Sequence, residues 1–138
     1  MTYARNNIHP DGLARRVVAG HLLYSPVVTL EGARLVFVSG LLARDRAGNI
    51  IGKGDMGAQI RQVGENLRIA LEAAGATLED LVRTCTYVTD IEEFFRHVDV
   101  RQEYFGPALP TSTTVEVRRL AHADFLVEVE AFAALPAG

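Results

Sequence analysis

Between Arg34 and Gly40 the chain reads RLVFVSG, and Leu35, Val36, Phe37 and Val38 follow one another with no polar residue between them. An unbroken apolar run of this kind predicts a strand covered on both faces, hence central in its sheet, ending at Ser39 and Gly40. A glycine at that end would let a ligand approach the main chain; a plain Ser-Gly turn is the simpler alternative. Further on the rhythm becomes helical. Met56, Ile60, Val63, Leu67 and Leu71 repeat at helical spacing between a capping Asp55 and a terminating Gly75, while Gln59, Gln62, Glu65, Asn66 and Arg68 are expected mostly on the other surfaces. The β-branched and aromatic segment from Leu81 to Val88 predicts another strand, reached by a right-handed crossover and lying beside the first. Asp90 and Glu93 supply a reciprocal cap for a second helix, whose stripe is Ile91, Phe94, Val98 and Phe105 and whose stop is Gly106–Pro107. Two last strands follow, Pro110–Val117 and Leu126–Ala133. In the latter Val127, Val129, Ala131 and Ala133 share one face, and Glu128 and Glu130 share the other with Leu126 and Phe132. The expected class is α+β, a mixed sheet with two helices on one face. Because its second face is partly apolar, the subunit is expected to oligomerise.

The segments before and between these elements are less regular. Residues 1–16 are polar and broken by Pro10 and Gly12, which predicts an extended or mobile arm ahead of a single domain over residues 17–138. Val17 to Val28, interrupted at Ser25–Pro26, reads as an edge strand or a loop crossing a pocket, with Tyr24 over that pocket or packed in a core or interface. Glu31–Gly32 is expected to make a hairpin turn into the central strand. After Gly40, LLARDRAGNIIGKGD is a glycine-punctuated loop with room for a short hairpin. It lacks both GxGxxG and GxxxxGK[ST], so no dinucleotide or P-loop site is assigned.

Composition narrows the function. A hydrophobic fraction of 49% in 138 residues supports one packed domain and excludes a disordered chain. The net charge of −3, with no basic block, argues against nucleic acid or an anionic membrane as partner. With no apolar leader and no window near the length of a membrane span, a soluble cytoplasmic protein is expected. Cys85, the single cysteine, reads as a buried inert thiol. His9, His21, His97 and His122 are scattered, and no HExxH or cysteine-rich pattern occurs, so no metal is expected. His122 and Asp124 read as a solvated loop.

Taken together, RLVFVSG, the segment from Ala58 to Asp90, YFG at Tyr104–Gly106, PTSTTVEVRRL and LVEVEAFA resemble the Rid family of reactive-intermediate enamine/imine deaminases, also called the YjgF or endoribonuclease L-PSP family. The resemblance runs from Leu22 to Ala133. It implies a chorismate-mutase-like fold, a homotrimer with a central barrel, and clefts between neighbouring subunits. It also implies hydrolysis of 2-imino acids to 2-keto acids and ammonia without a cofactor. Residue by residue, Glu128 matches the glutamate that orients water, Ser39 and Gly40 match the pocket-lining pair, and Tyr24 matches the pocket tyrosine, with a slightly longer chain between it and Ser39. The family's carboxylate-binding arginine falls on Ser112, in Pro110-Thr111-Ser112-Thr113, and its reactive cysteine falls near Thr114. Cys85 is therefore not that cysteine.

Serine in place of arginine exchanges a rigid bidentate fork for a single hydroxyl. Weak or absent 2-imino-acid hydrolysis and a substrate that is neutral or charged elsewhere are the expectations, with Arg118 or Arg119 as alternative cations that otherwise read as surface residues. In the leading reading, Glu128 orients water onto an electrophilic C=N carbon. Main-chain donors near Gly40 or Val115 steady the intermediate, and Ser112 and Thr114 bind by hydrogen bonding. A noncatalytic small-molecule-binding trimer is the alternative, and an endoribonuclease the third.

Overall fold

The computed structural model describes residues 3–138; Met1 and Thr2, at the start of the expected arm, lie outside the described residues. Eight strands and three α-helices follow in the order β1 (Ala4–Ile8), β2 (Val17–Val18), β3 (His21–Leu22), β4 (Val27–Glu31), β5 (Ala33–Leu41), α1 (Met56–Ala73), β6 (Leu81–Val88), α2 (Ile91–Arg96), α3 (Val98–Phe105), β7 (Thr111–Glu116) and β8 (Val127–Pro136). The main sheet has the order β5-β8-β6-β7. β8 is antiparallel to both its neighbours, and β6 and β7 are parallel.

That order corrects two expectations. The RLVFVSG strand is an edge of this sheet, not its centre, and only one of its faces is covered: Val36 and Val38 pack on the core, whereas Leu35 and Phe37 are 53% and 68% exposed. Its alternation was hidden because the solvent-side residues are apolar too. Nor does β6 lie beside β5. The last strand inserts between them, since the crossover through α1 leaves one strand width open and the chain's end fills it.

Helix α1 forms where its stripe predicts. Asp55 accepts a hydrogen bond from the Ala58 N–H at 3.0 Å, satisfying one of the free amides of the first turn, and Gly75 beyond the last turn has φ +80°. Its stripe is buried against Val127, Val129, Ala131 and Ala133 of β8. Gln59 departs from its assignment as a surface residue. It is fully buried, donating to Asp124 O (2.8 Å) and Gly52 O (3.3 Å) and accepting from Leu126 N (2.8 Å), so it ties the helix to the loop that launches β8. Gly64 lets α3 approach, because a Cβ there would stand 2.4 Å from the Tyr104 ring. The expected second helix is broken at His97 into α2 and α3. Asp90 caps α2 through the Glu93 N–H at 3.0 Å, but Glu93 turns its carboxylate to Arg96 and His97 rather than back to the cap.

Residues 4–8 of the expected arm form β1, paired antiparallel with β4. β4 and β5 are not paired, so Gly32 bends the chain from one sheet into another instead of making a hairpin. A bridge between Arg44 and Ile50 gives the following loop its short hairpin. The β1–β4 pair also fixes the start of β7. Leu109 takes a left-handed φ of +46°, a conformation that costs about 1 kcal/mol or more in a non-glycine residue. Its carbonyl accepts from Ser25 Oγ at 2.6 Å and from Asn7 Nδ2 at 2.9 Å, which holds that turn in place.

Candidate active site

The seven residues singled out from the sequence fall in three places. Tyr24, Ser112 and Thr114 line one cavity of about 830 Å³ beside β7, between that edge strand, α2, α3 and the segment preceding β4. Ser112 and Thr114 are brought there because β7 pairs with β6 in a register that aligns them with Thr84 and Thr86, on the helix-covered side of the sheet. Thr84 Oγ1 donates to Ser112 Oγ at 3.3 Å. Val115, one residue on, faces the opposite side and is 40% exposed.

Glu128 lies on that opposite side, across from Tyr87 in the β6–β8 ladder. Ser39 and Gly40 are on β5, at the far edge of the sheet from Ser112. Three strand spacings of about 4.8 Å put the two edges roughly 14 Å apart. Gly40 and Glu128 do meet: a Cβ on Gly40 would stand 2.7 Å from Glu128 Oε2. The atom that uses glycine's missing side chain is therefore the Glu128 carboxylate, half-buried and without a hydrogen-bond donor among the described residues. Its neighbour two positions on is held differently. Glu130 accepts from the Tyr87 hydroxyl at 2.6 Å, and this hydrogen bond, with partial desolvation and the negative charge alongside, pushes the phenol up to about 12.

Sequence reasoning missed the most unusual group in the β7 cavity. Arg101, on α3, is 3% exposed, and no carboxylate pairs with it among the described residues. It donates to Leu23 O at 3.2 Å, to Gln102 Oε1 and to Ser112 Oγ at 3.4 Å. Burial, together with repulsion from Arg16, lowers its pKa to about 10, so it stays charged at neutral pH. The available signal was an arginine on the stripe of Val98 and Phe105, where a helix turned toward a core should carry an apolar residue. Arg118 and Arg119, the expected alternative cations, border a different, smaller cavity with His122 and Phe125. The other cluster of acids, Asp90, Glu92 and Glu116, is exposed. Glu116 Oε1 accepts from Ile91 N and Asp90 from Glu93 N, so two of the three serve the start of α2.

The class defined by these features is an α+β protein whose helix-backed mixed sheet carries polar groups at both edges and an open, partly apolar face. A profile of the family described as Endoribonuclease L-PSP matches residues 17–135. A RutC family protein of Pyrococcus abyssi is 41% identical over 104 residues, covering 75% of this chain and 81% of the relative. Among solved structures, the Rid-family protein YyfB of Yersinia pestis superposes with a TM-score of 0.81 at 29% identity, covering 95% of this chain and 98% of the other. TdcF of E. coli, solved with bound serine, gives a TM-score of 0.66 at 30% identity over 73% of this chain and 80% of the other. The chain belongs to the endoribonuclease L-PSP family, the Rid/YjgF family, and so to a family associated with deaminase-type activity. No helix among the described residues is long and apolar enough to cross a membrane.

Proposed function

We propose that this protein is a cofactor-independent hydrolase of an imine, enamine or related small metabolite, working in clefts between the subunits of a homotrimer. The carrying observation is the separation of its site: Tyr24, Ser112 and Thr114 gather at the β7 edge, whereas Glu128, Ser39 and Gly40 gather near the β5 edge. One chain cannot close that gap, but the β7 edge of one subunit set against the β5 edge of the next can. Leu35, Phe37, Val115 and Phe132 are all exposed, and the last has its ring 5.0 Å from that of Phe37, so the open sheet face offers an apolar surface for such an assembly. In the family's barrel this face would turn inward.

Glu128 has the freedom the reaction asks of it. Its carboxylate lies close over Gly40 with no donor holding it among the described residues, so it is available to accept a proton from water. An enamine first takes a proton on carbon and loses one from nitrogen to become the imine. Water's oxygen then adds to the C=N carbon and its first proton reaches nitrogen through the carboxylate, giving a carbinolamine. The hydroxyl proton of that intermediate follows to nitrogen by the same route as the C–N bond breaks to release the amine and leave a carbonyl. Main-chain amides near Gly40 or Val115 would steady the intermediate. With Ser112 where the family carries arginine, turnover of the shortest 2-imino acids is expected to be weak. A noncatalytic binding trimer is the second reading, and the same serine favours it.

The deciding experiment measures ammonia release from freshly generated 2-aminoacrylate and from a panel of larger enamines and imines. Glu128→Gln should lower turnover by on the order of 10²–10⁴-fold with the assembly intact, the usual weight of a positioned acid–base group. Turnover unchanged in that variant removes Glu128 from the mechanism, and silence of the wild type across the panel favours the binding reading.

A further inference from the structure

A charged guanidinium taken almost wholly out of water is ordinarily paired with an acid, because desolvation of an unpaired charge is expensive. Among the described residues Arg101 has only neutral oxygens: the Leu23 carbonyl, the Gln102 amide and the Ser112 hydroxyl. A second arginine without a carboxylate partner among the described residues borders the same cavity. Arg16 stacks its guanidinium carbon 4.8 Å from the centroid of the Phe95 ring, and its charge disfavours that of Arg101. The remaining charged groups on the wall are Arg96, already paired with Glu93 at 2.5 Å, and Glu92. Two cations on one cavity wall that repel one another, neither of them paired with an acid among the described residues, describe an anion site even with Glu92 on the same wall. The other walls, Leu23, Ile91 and Phe95, are apolar and suit a carbon skeleton.

We infer that Arg101 and Arg16 form the anion-binding end of this cavity, and that its ligand is a small organic carboxylate whose carbon chain lies along Leu23, Ile91 and Phe95. The inference deepens the hydrolase reading by assigning the substrate's charge, and it relocates charge recognition from β7, where Ser112 has no charge to offer, to α3 and the segment before β2. A planar guanidinium presents paired donors to a carboxylate, and Ser112 Oγ, already 3.4 Å from Arg101, is placed to donate to the same group. Because Arg101 reaches Ser112 from the helix side, the carboxylate sits deeper against α3 than a strand-borne arginine would hold it. Substrates longer than the shortest 2-imino acids follow from that geometry.

The test is calorimetric titration with 2-oxobutanoate, its uncharged amide 2-oxobutanamide, and inorganic phosphate, so binding is read without turnover. Wild-type protein should bind the acid at least tenfold more tightly than the amide. Arg101→Met should weaken the acid about 10- to 100-fold, the weight of a charge-assisted hydrogen-bonded pair, and leave the amide unchanged. Arg16→Met, at an exposed position, should weaken it about three- to tenfold with an unaltered melting curve, and it decides the matter if Arg101→Met does not fold. Equal binding of acid and amide, or undiminished acid binding in the folded arginine variants, overturns the site. Phosphate binding as tightly as 2-oxobutanoate overturns the organic carboxylate. Arginine-dependent binding with no turnover would end the hydrolase reading and leave the anion site standing, while turnover without arginine-dependent binding would do the reverse.

Discussion

The two faces of β8 are made from one alternating strand and have opposite fates. Val127, Val129, Ala131 and Ala133 are sealed under α1 and the α2–α3 pair, none of them more than 1% exposed. Glu128, Glu130 and Phe132 look out from the other side with Cys85, Tyr87 and Phe37. The covered face is uniform and small in side chain, which suits close packing of a helix on a sheet. The open face mixes carboxylates, an exposed phenylalanine pair and a tyrosine whose hydroxyl is committed to Glu130. A face designed only for water would carry no Leu35 or Phe37. The contrast teaches that the covered face holds the subunit together, and that the open one leaves an apolar surface and the Glu128 side of β8 uncovered within the subunit.

The sharpest break of that comparison is at the covered face. Leu67→Ala, at a fully buried position on α1, should cost about 2–5 kcal/mol in urea unfolding through lost burial and the cavity left behind. A cost under 1 kcal/mol would mean the helix layer is not the main source of cohesion. On the open face, Phe37→Ser should leave the fold of the subunit nearly unchanged, within about 0.5 kcal/mol as for surface positions, yet shift the sedimentation of the proposed trimer towards monomer. A trimer that persists at every dilution would show that the Phe37–Phe132 pair takes no part in assembly. Gly40→Ala tests the join between the faces' chemistry and their packing. The end of the Glu128 side chain can swing aside from a new methyl, so stability should change by less than about 1 kcal/mol while turnover falls roughly tenfold. Equal effects on both would make Gly40 a packing residue alone.

The smallest effect is a titration. The folded Tyr87 phenol, at about 12, lies above its ordinary value of 10.0. For a group whose folded pKa is raised, the linked stability is fully present below the unfolded value and is lost as pH rises through the folded one, here between pH 10 and about 12. The difference spectrum between wild type and Tyr87→Phe should show a phenolate midpoint near 12. A midpoint near 10 would mean that the Glu130 contact is not held in solution.

The helices and three of the four main strands were legible because their signals are local. Asp55 and Asp90 cap where they should, the stripe from Met56 to Leu71 is buried throughout, and β8 alternates as its sequence demands. Family membership was legible too, since it rests on ordered motifs that span most of the chain. The fourth strand was recognised but misplaced. Continuous apolar character says that both faces avoid water, and it cannot distinguish a neighbour in the same chain from a partner in another. Gln59 and Arg101 were misjudged or passed over for the same reason in reverse: each is a polar residue whose place is set by partners far away in sequence, Asp124 and Leu126 for one, Leu23 and Ser112 for the other.

The chain's own sequence therefore determined its class, the caps at Asp55 and Asp90 and the approximate extents of α1 and the main strands, and it singled out Glu128 and Ser112 as candidates. Tertiary structure alone decided that β8 lies between β5 and β6, that the candidate site residues part towards opposite edges of one sheet, and that a buried arginine from α3 stands against Ser112. Periodicity reports how a segment meets its immediate surroundings. Strand order and the meeting of distant side chains depend on closing long loops against one shared core, and that information belongs to no single segment.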